Sequence, residues 1–158
     1  MVLTQKETML IDDLKTYEKL CIEKYTKASQ CACDMNLKTV FDQLKMLEQE
    51  HLKTLEQIQN GTVPNVNAQG GQQAKAKPGA NDQAAYPTGC NDANKQNDQF
   101  LCQDLLSGEK HVSNVYDTCI FEFKNADVRN VLNHIQKEEQ EHGQIIFDYM
   151  SKNGMYNA

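Results

Sequence analysis

Residues 47–55 read LEQEHLKTL, and the tetrapeptide inside them, EQEH at Glu48–His51, returns letter for letter at Glu139–His142 within KEEQEHGQII. Around the first copy, Leu37, Phe41, Leu44, Glu48, His51, Leu55 and Ile58 recur at steps of three and four, the period of one helical face. Around the second copy, Val128, Leu132, Ile135, Glu139, His142, Ile146 and Tyr149 do the same. Both stripes predict amphipathic helices in which a Glu and a His interrupt an otherwise apolar seam.

Shifting the chain by 91 positions superposes the two stretches without a gap. Ten positions are then identical between residues 11–58 and 102–149, among them Asp13/Asp104, Glu18/Glu109, Lys19/Lys110 and Tyr25/Tyr116. The identities cluster on charged residues, whereas a shared fold alone would keep leucines, so the chain reads as a duplicated helical hairpin. Two further stripes precede the EQEH helices: Ile11, Leu14, Glu18, Cys21, Tyr25, Ala28, and Cys102, Leu105, Glu109, Val112, Tyr116, Cys119, Phe123. The period predicts helices over about Thr4–Gln30, Asn36–Asn60, Asp98–Lys124 and Asp127–Lys152.

Between the pairs the composition changes. Residues 60–98 are rich in Gly, Asn, Gln and Ala, hold all three prolines and contain almost no large apolar side chain. The expectation is an all-α fold in one domain: a four-helix bundle of two antiparallel hairpins, 4–60 and 99–152, joined by a flexible crossover linker, 61–98. A helix of about 22 residues is roughly 33 Å long, which such a linker spans with slack.

Each of the four stripes breaks at its middle with an acid. A buried, unpaired carboxylate costs several kcal/mol or stays protonated, so four in one core demand positive charge between them. The lysines lie on outer faces, and the seams supply only His51 and His142. Two divalent ions against four carboxylates close the charge balance. Ferritin-like dimetal bundles use one Glu from each of two helices and Glu-x-x-His from each of the other two. Here Glu18 and Glu109 are the single acids, and Glu48/His51 and Glu139/His142 are the pairs. These six residues are the candidate metal ligands. Carboxylate with imidazole suits iron or manganese, and zinc as a substitute. The sequence assigns no catalytic residue.

Neighbouring residues carry weaker signals. Tyr25 and Tyr116 lie two turns beyond Glu18 and Glu109, where a phenol could hydrogen-bond a ligand carboxylate or donate an electron, or serve as an ordinary core tyrosine with its hydroxyl paired elsewhere. Asp13 and Asp104 could orient a ligand histidine or serve the first turn of a helix. Six cysteines without an apolar run of signal-peptide length predict free thiols in a reducing compartment, acting as small apolar filler; Cys31-Ala-Cys33 lacks the two-residue spacer of common zinc and redox motifs. A net charge of −6 excludes a basic face for nucleic acid, and no 18-residue uncharged apolar run predicts a transmembrane segment.

LTQKETMLIDDLKTYEKLCIEKYTKAS, LEQEHLKTLEQIQNG and above all DLLSGEKHVSNVYDTCIFEF with the terminal YMSKNGMY resemble the spore coat protein F (coat F) family of endospore-forming Firmicutes. Within YMSKNGMY, Asn153-Gly154 reads as a helix stop, while Met155-Tyr156 has no generic reason. The resemblance implies a ferritin-like bundle, a place in or beneath the spore coat and other coat proteins as partners. A coat component whose metal centre stabilises the bundle is the first expectation. A dimetal oxidase or peroxide-scavenging enzyme of rubrerythrin or manganese-catalase type is the alternative, and an iron-storing cage a third. A homo-oligomer in which two chains exchange hairpins is compatible with the same site.

Overall fold

The structure, a computed structural model, describes residues 2–65 and 86–156. It contains four helices, α1 (Gln5–Cys31), α2 (Met35–Gln59), α3 (Asp92–Ile120) and α4 (Ala126–Lys152), and no strand among the described residues. Each begins where a side chain satisfies the first free N–H groups. Thr4 and Glu7 form a capping box on α1, Asp34 caps α2, Asn91 and Asn94 cap each other at α3, and Asn125 caps α4. The reciprocal Asn91–Asn94 cap places the start of α3 six residues before the expected one, so residues 92–98 are helix rather than linker. Of the expected linker, residues 66–85 lie outside the described residues.

The helices pair as α1 with α2 and α3 with α4, and the hairpins meet through α1 on α3 and α2 on α4. Lys6 pairs with Glu122, the Tyr17 ring meets His111, and Lys24 pairs with Asp104, so α1 and α3 run antiparallel. Near the start of α3, Asp98 accepts the backbone N–H groups of Cys33 and Asp34 at 2.9 and 3.0 Å. The far end of α2 lies against the first half of α1, where Gln59 donates to Asp12 and accepts from Lys15. The end of α2 and the start of α3 therefore lie at opposite ends of the bundle.

Both bundle ends are closed by a carboxylate that takes backbone N–H groups from the opposite hairpin's turn. Glu7 accepts from Lys124 at 3.0 Å, and Asp98 accepts from Cys33 and Asp34; the two acids are again 91 positions apart, as are Cys33 and Lys124. The Tyr86 hydroxyl donates to the same Asp98 at 2.8 Å.

Two apolar clusters fill the core. One gathers Ile11, Leu14, Leu55, Ile58, Leu132 and Ile135 at the end where α1 begins; the other gathers Tyr25, Leu37, Phe41, Leu44, Ile146 and Met150 at the opposite end. The six charged seam residues form the layer between them. Nearly every expected stripe position is buried. Tyr149 is the exception: it is half-buried and donates to Asp34 at 2.7 Å, while Met150 takes the core position.

The chain end has a physical role that periodicity does not reveal. Gly154, at φ 62°, makes the left-handed turn after α4, and Met155 N–H bonds Met150 at 2.8 Å. Met155 is then buried, and Tyr156 packs edge-on against Phe147 at 4.9 Å.

The expectation of six free thiols is corrected. Cys33 and Cys90 form a disulfide across 57 positions, tying the turn between α1 and α2 to the residue before the α3 cap. Chain composition argued from compartment, whereas these two residues are brought together by the Asp98 contacts beside them. Cys21, Cys102 and Cys119 are free and buried, in keeping with apolar filler, and Cys31 is exposed.

Candidate metal centre

Six side chains from four helices converge at the middle of the bundle: Glu18 from α1, Glu48 and His51 from α2, Glu109 from α3, Glu139 and His142 from α4. None is more than 3% exposed. A spacing of three residues sets Glu48 and His51, and likewise Glu139 and His142, on one face of their helices. They form two overlapping groups, Glu18/Glu48/His51/Glu139 and Glu48/Glu109/Glu139/His142, each with ligand atoms within 4.8 Å of one another. Glu48 and Glu139 belong to both groups.

The geometry is reciprocal between hairpins. His51 Nδ1 lies 2.9 Å from Glu139, and His142 Nδ1 lies 3.0 Å from Glu48. The two imidazoles face each other nearly parallel, 5.4 Å apart. The Tyr25 hydroxyl donates to Glu109, and the Tyr116 hydroxyl donates to Glu18. Each tyrosine thus holds the single acid of the other hairpin, which is the carboxylate-bonding reading of these residues.

Asp13 and Asp104 do not reach the histidines. Both are exposed, mid-helix, and Asp104 pairs with Lys24 at 2.9 Å. The residue that does reach a histidine is Glu138, whose Oε2 lies 3.1 Å from His51 Nε2. A shift of 91 positions sets it against Leu47, so the matched positions offered no sign of it.

Burial and mutual charge set the protonation of the centre. Burial pushes the Glu18 carboxyl up to about 8 against the opposing pull of His51, and pushes Glu109 well above the ordinary carboxylate range. Burial also works to raise Glu48 and Glu139, but the imidazoles of His142 and His51 beside them override it and hold both below that range. Burial disfavours charged imidazole, yet the carboxylates around His51 and His142, Glu138 and Glu109 foremost, keep both well above the usual histidine value. The shifts thus favour the neutral form of Glu18 and Glu109 and the charged form of the two histidines beside Glu48 and Glu139.

That arrangement leaves polar atoms stranded. The buried side-chain nitrogen and oxygen atoms without a hydrogen-bond partner, among the described residues, are Glu18 Oε2, Glu48 Oε2, His51 Nδ1, Glu109 Oε2, both Glu139 oxygens and His142 Nε2. All belong to these six residues, and each of the six has at least one. Buried polar groups in folded proteins are nearly always satisfied, so a concentration of orphans in one layer fits a missing cationic partner. Four carboxylates and two imidazoles are a donor set for two hard or borderline divalent ions.

A groove of about 540 Å³ between α3 and α4 reaches this layer, with Glu109 and Glu139 in its lining. No helix among the described residues is long and apolar enough to cross a membrane.

Compared with curated proteins and with solved structures, the chain finds no significant match. Residues 97–158, which include most of α3, all of α4 and the buried Met155, match the family model of the Coat F domain. This match over the second hairpin supports the coat F family.

Proposed function

We propose that the chain is a spore coat protein whose four-helix bundle is ferritin-like and holds a dinuclear metal centre, with a mainly structural and assembly role in the spore. The observation that carries this reading is the pair of four-residue groups sharing Glu48 and Glu139. Glu18 and His51 would help hold one ion and Glu109 and His142 the other, with Glu48 and Glu139 in reach of both. Two ions of charge +2 offset four carboxylates, so the metal stabilises a core that is otherwise held by protonation. Iron and manganese suit the donors best, with zinc as a substitute. The Coat F match supports placement with other coat proteins.

The test is metal content per chain by mass spectrometry, on protein produced with iron or manganese supplements and on the Glu48→Ala/Glu139→Ala variant. About two ions per chain, lost in the variant, is the expected result. Metal no higher than in the variant would overturn the reading.

One observation favours a second reading, an oxidase or peroxide-scavenging enzyme: the groove gives solutes a route to Glu109 and Glu139. Iron or manganese would supply redox chemistry at that point. The protein's own contribution is two tyrosines that fix the single acids and apolar clusters on either side of the layer. Peroxide consumption by metal-loaded protein, absent from the double variant, distinguishes this reading from a purely structural centre.

A further inference from the structure

The reciprocity of the centre fails at two places, and both failures fall on the same half. We infer that the two ions are held unequally: the ion of Glu18 and His51 is retained, while the ion of Glu109 and His142 exchanges with solution through the groove between α3 and α4. This rests on the dinuclear reading above.

The first asymmetry lies behind the histidines. Each presents Nδ1 to the carboxylates, since His51 Nδ1 lies within 2.9–3.6 Å of Glu139, Glu48 and Glu18, and His142 Nδ1 within 3.0–3.8 Å of Glu48, Glu139 and Glu109. The other nitrogen of His51 donates to Glu138 at 3.1 Å. A carboxylate on the far nitrogen fixes the tautomer and ring orientation and makes the imidazole a better donor, and losing such a partner typically costs 10–100-fold in metal affinity. The far nitrogen of His142 is buried with no partner, and the position corresponding to Glu138 is Leu47. Glu138 is therefore a positioning residue for one half only.

The second asymmetry is access. Gly143 lines the groove beside Glu109 and Glu139, and a Cβ there would come within 3.4 Å of Leu106 Cδ1. The corresponding residue on α2 is Leu52, half-buried, and the groove residue Ser113 corresponds to Ile22. In the first hairpin, bulky apolar side chains occupy the positions that a hydrogen atom and a hydroxymethyl group leave open in the second.

The experiment loads the full chain with manganese(II), adds excess EDTA, and follows protein-bound manganese by rapid desalting and mass spectrometry. Two phases are expected, each of about one ion per chain, with rates about 10–100-fold apart. Glu138→Leu should speed the slow phase and Glu138→Gln, which keeps an acceptor, should restore part of it; Gly143→Leu should slow the fast phase. Helical circular dichroism confirms that each variant is folded, and the smaller change Gly143→Ala replaces Gly143→Leu if the latter is not. Two ions leaving in one phase, or rates unmoved by Glu138→Leu and by the Gly143 variant, would overturn the inequivalence while leaving the dinuclear centre standing. Failure to load about two ions would instead remove the centre itself.

Discussion

Tyr25 donates its hydroxyl to Glu109, and neither residue belongs to the same hairpin as the other. With the Tyr116–Glu18 bond, it makes each half's single acid depend on the other half's tyrosine. Tyr25→Phe removes a donor from a buried carboxyl while leaving the ring volume in place. Such a loss costs about 1–3 kcal/mol. Urea denaturation of metal-free Tyr25→Phe and Tyr116→Phe should show losses in that range, and unchanged midpoints would mean that the bonds contribute nothing.

The metal-free protein should grow less stable as pH rises. Glu18 carries a folded-state value of about 8 against an ordinary 4.5, so the stability it contributes is complete below 4.5 and is lost between there and about 8. His51 and His142 are also raised, and their contribution is lost as pH climbs above the ordinary 6.5. Glu48 and Glu139 are depressed and act on the acid side, where their contribution disappears as pH falls below 4.5. Calorimetry of chelator-treated protein should therefore show Tm falling from pH 5 to pH 8. Manganese should raise Tm most at the alkaline end, since bound ions replace the protons.

Asp98→Ala should loosen the end of the bundle where α3 begins. The change strands the N–H groups of Cys33 and Asp34 and the Tyr86 hydroxyl. A loss of about 1–3 kcal/mol is expected. Hydrogen exchange should rise in the α1–α2 turn and the first turns of α3, with little change at Lys124, where Glu7 does the equivalent work.

Cys33→Ser/Cys90→Ser should lower stability by up to about 4 kcal/mol, the chain-entropy value for a closed loop of this length. Equilibrium unfolding under oxidising and reducing conditions measures it. The double variant should match the reduced protein in both.

What the sequence made legible is what recurs. The four seams, the hairpins and the convergence of Glu18, Glu48, His51, Glu109, Glu139 and His142 follow from helical period and charge, because a buried acid in register is conspicuous. Glu138 escaped because it stands one position outside the seam, like any solvated glutamate, and falls opposite Leu47 when the chain is shifted by 91 positions. Glu7 and Asp98 escaped because different residues do the same work, and identity was the signal followed. The start of α3 escaped because NDANKQND has the composition of a linker, while the mutual capping of Asn91 and Asn94 starts the helix there.

The Cys33–Cys90 bond joins the tip of the first hairpin to the entrance of the second. In a chain folded on itself, that bond is internal. If two chains traded their second hairpins, the same contacts would bring Cys33 of one chain to Cys90 of the other, and the pair would be covalently linked. A non-reducing denaturing gel would then read single-chain mass in the first arrangement and double mass in the second. The disulfide is a permanent record, surviving denaturation, of which chain supplied each half of the bundle.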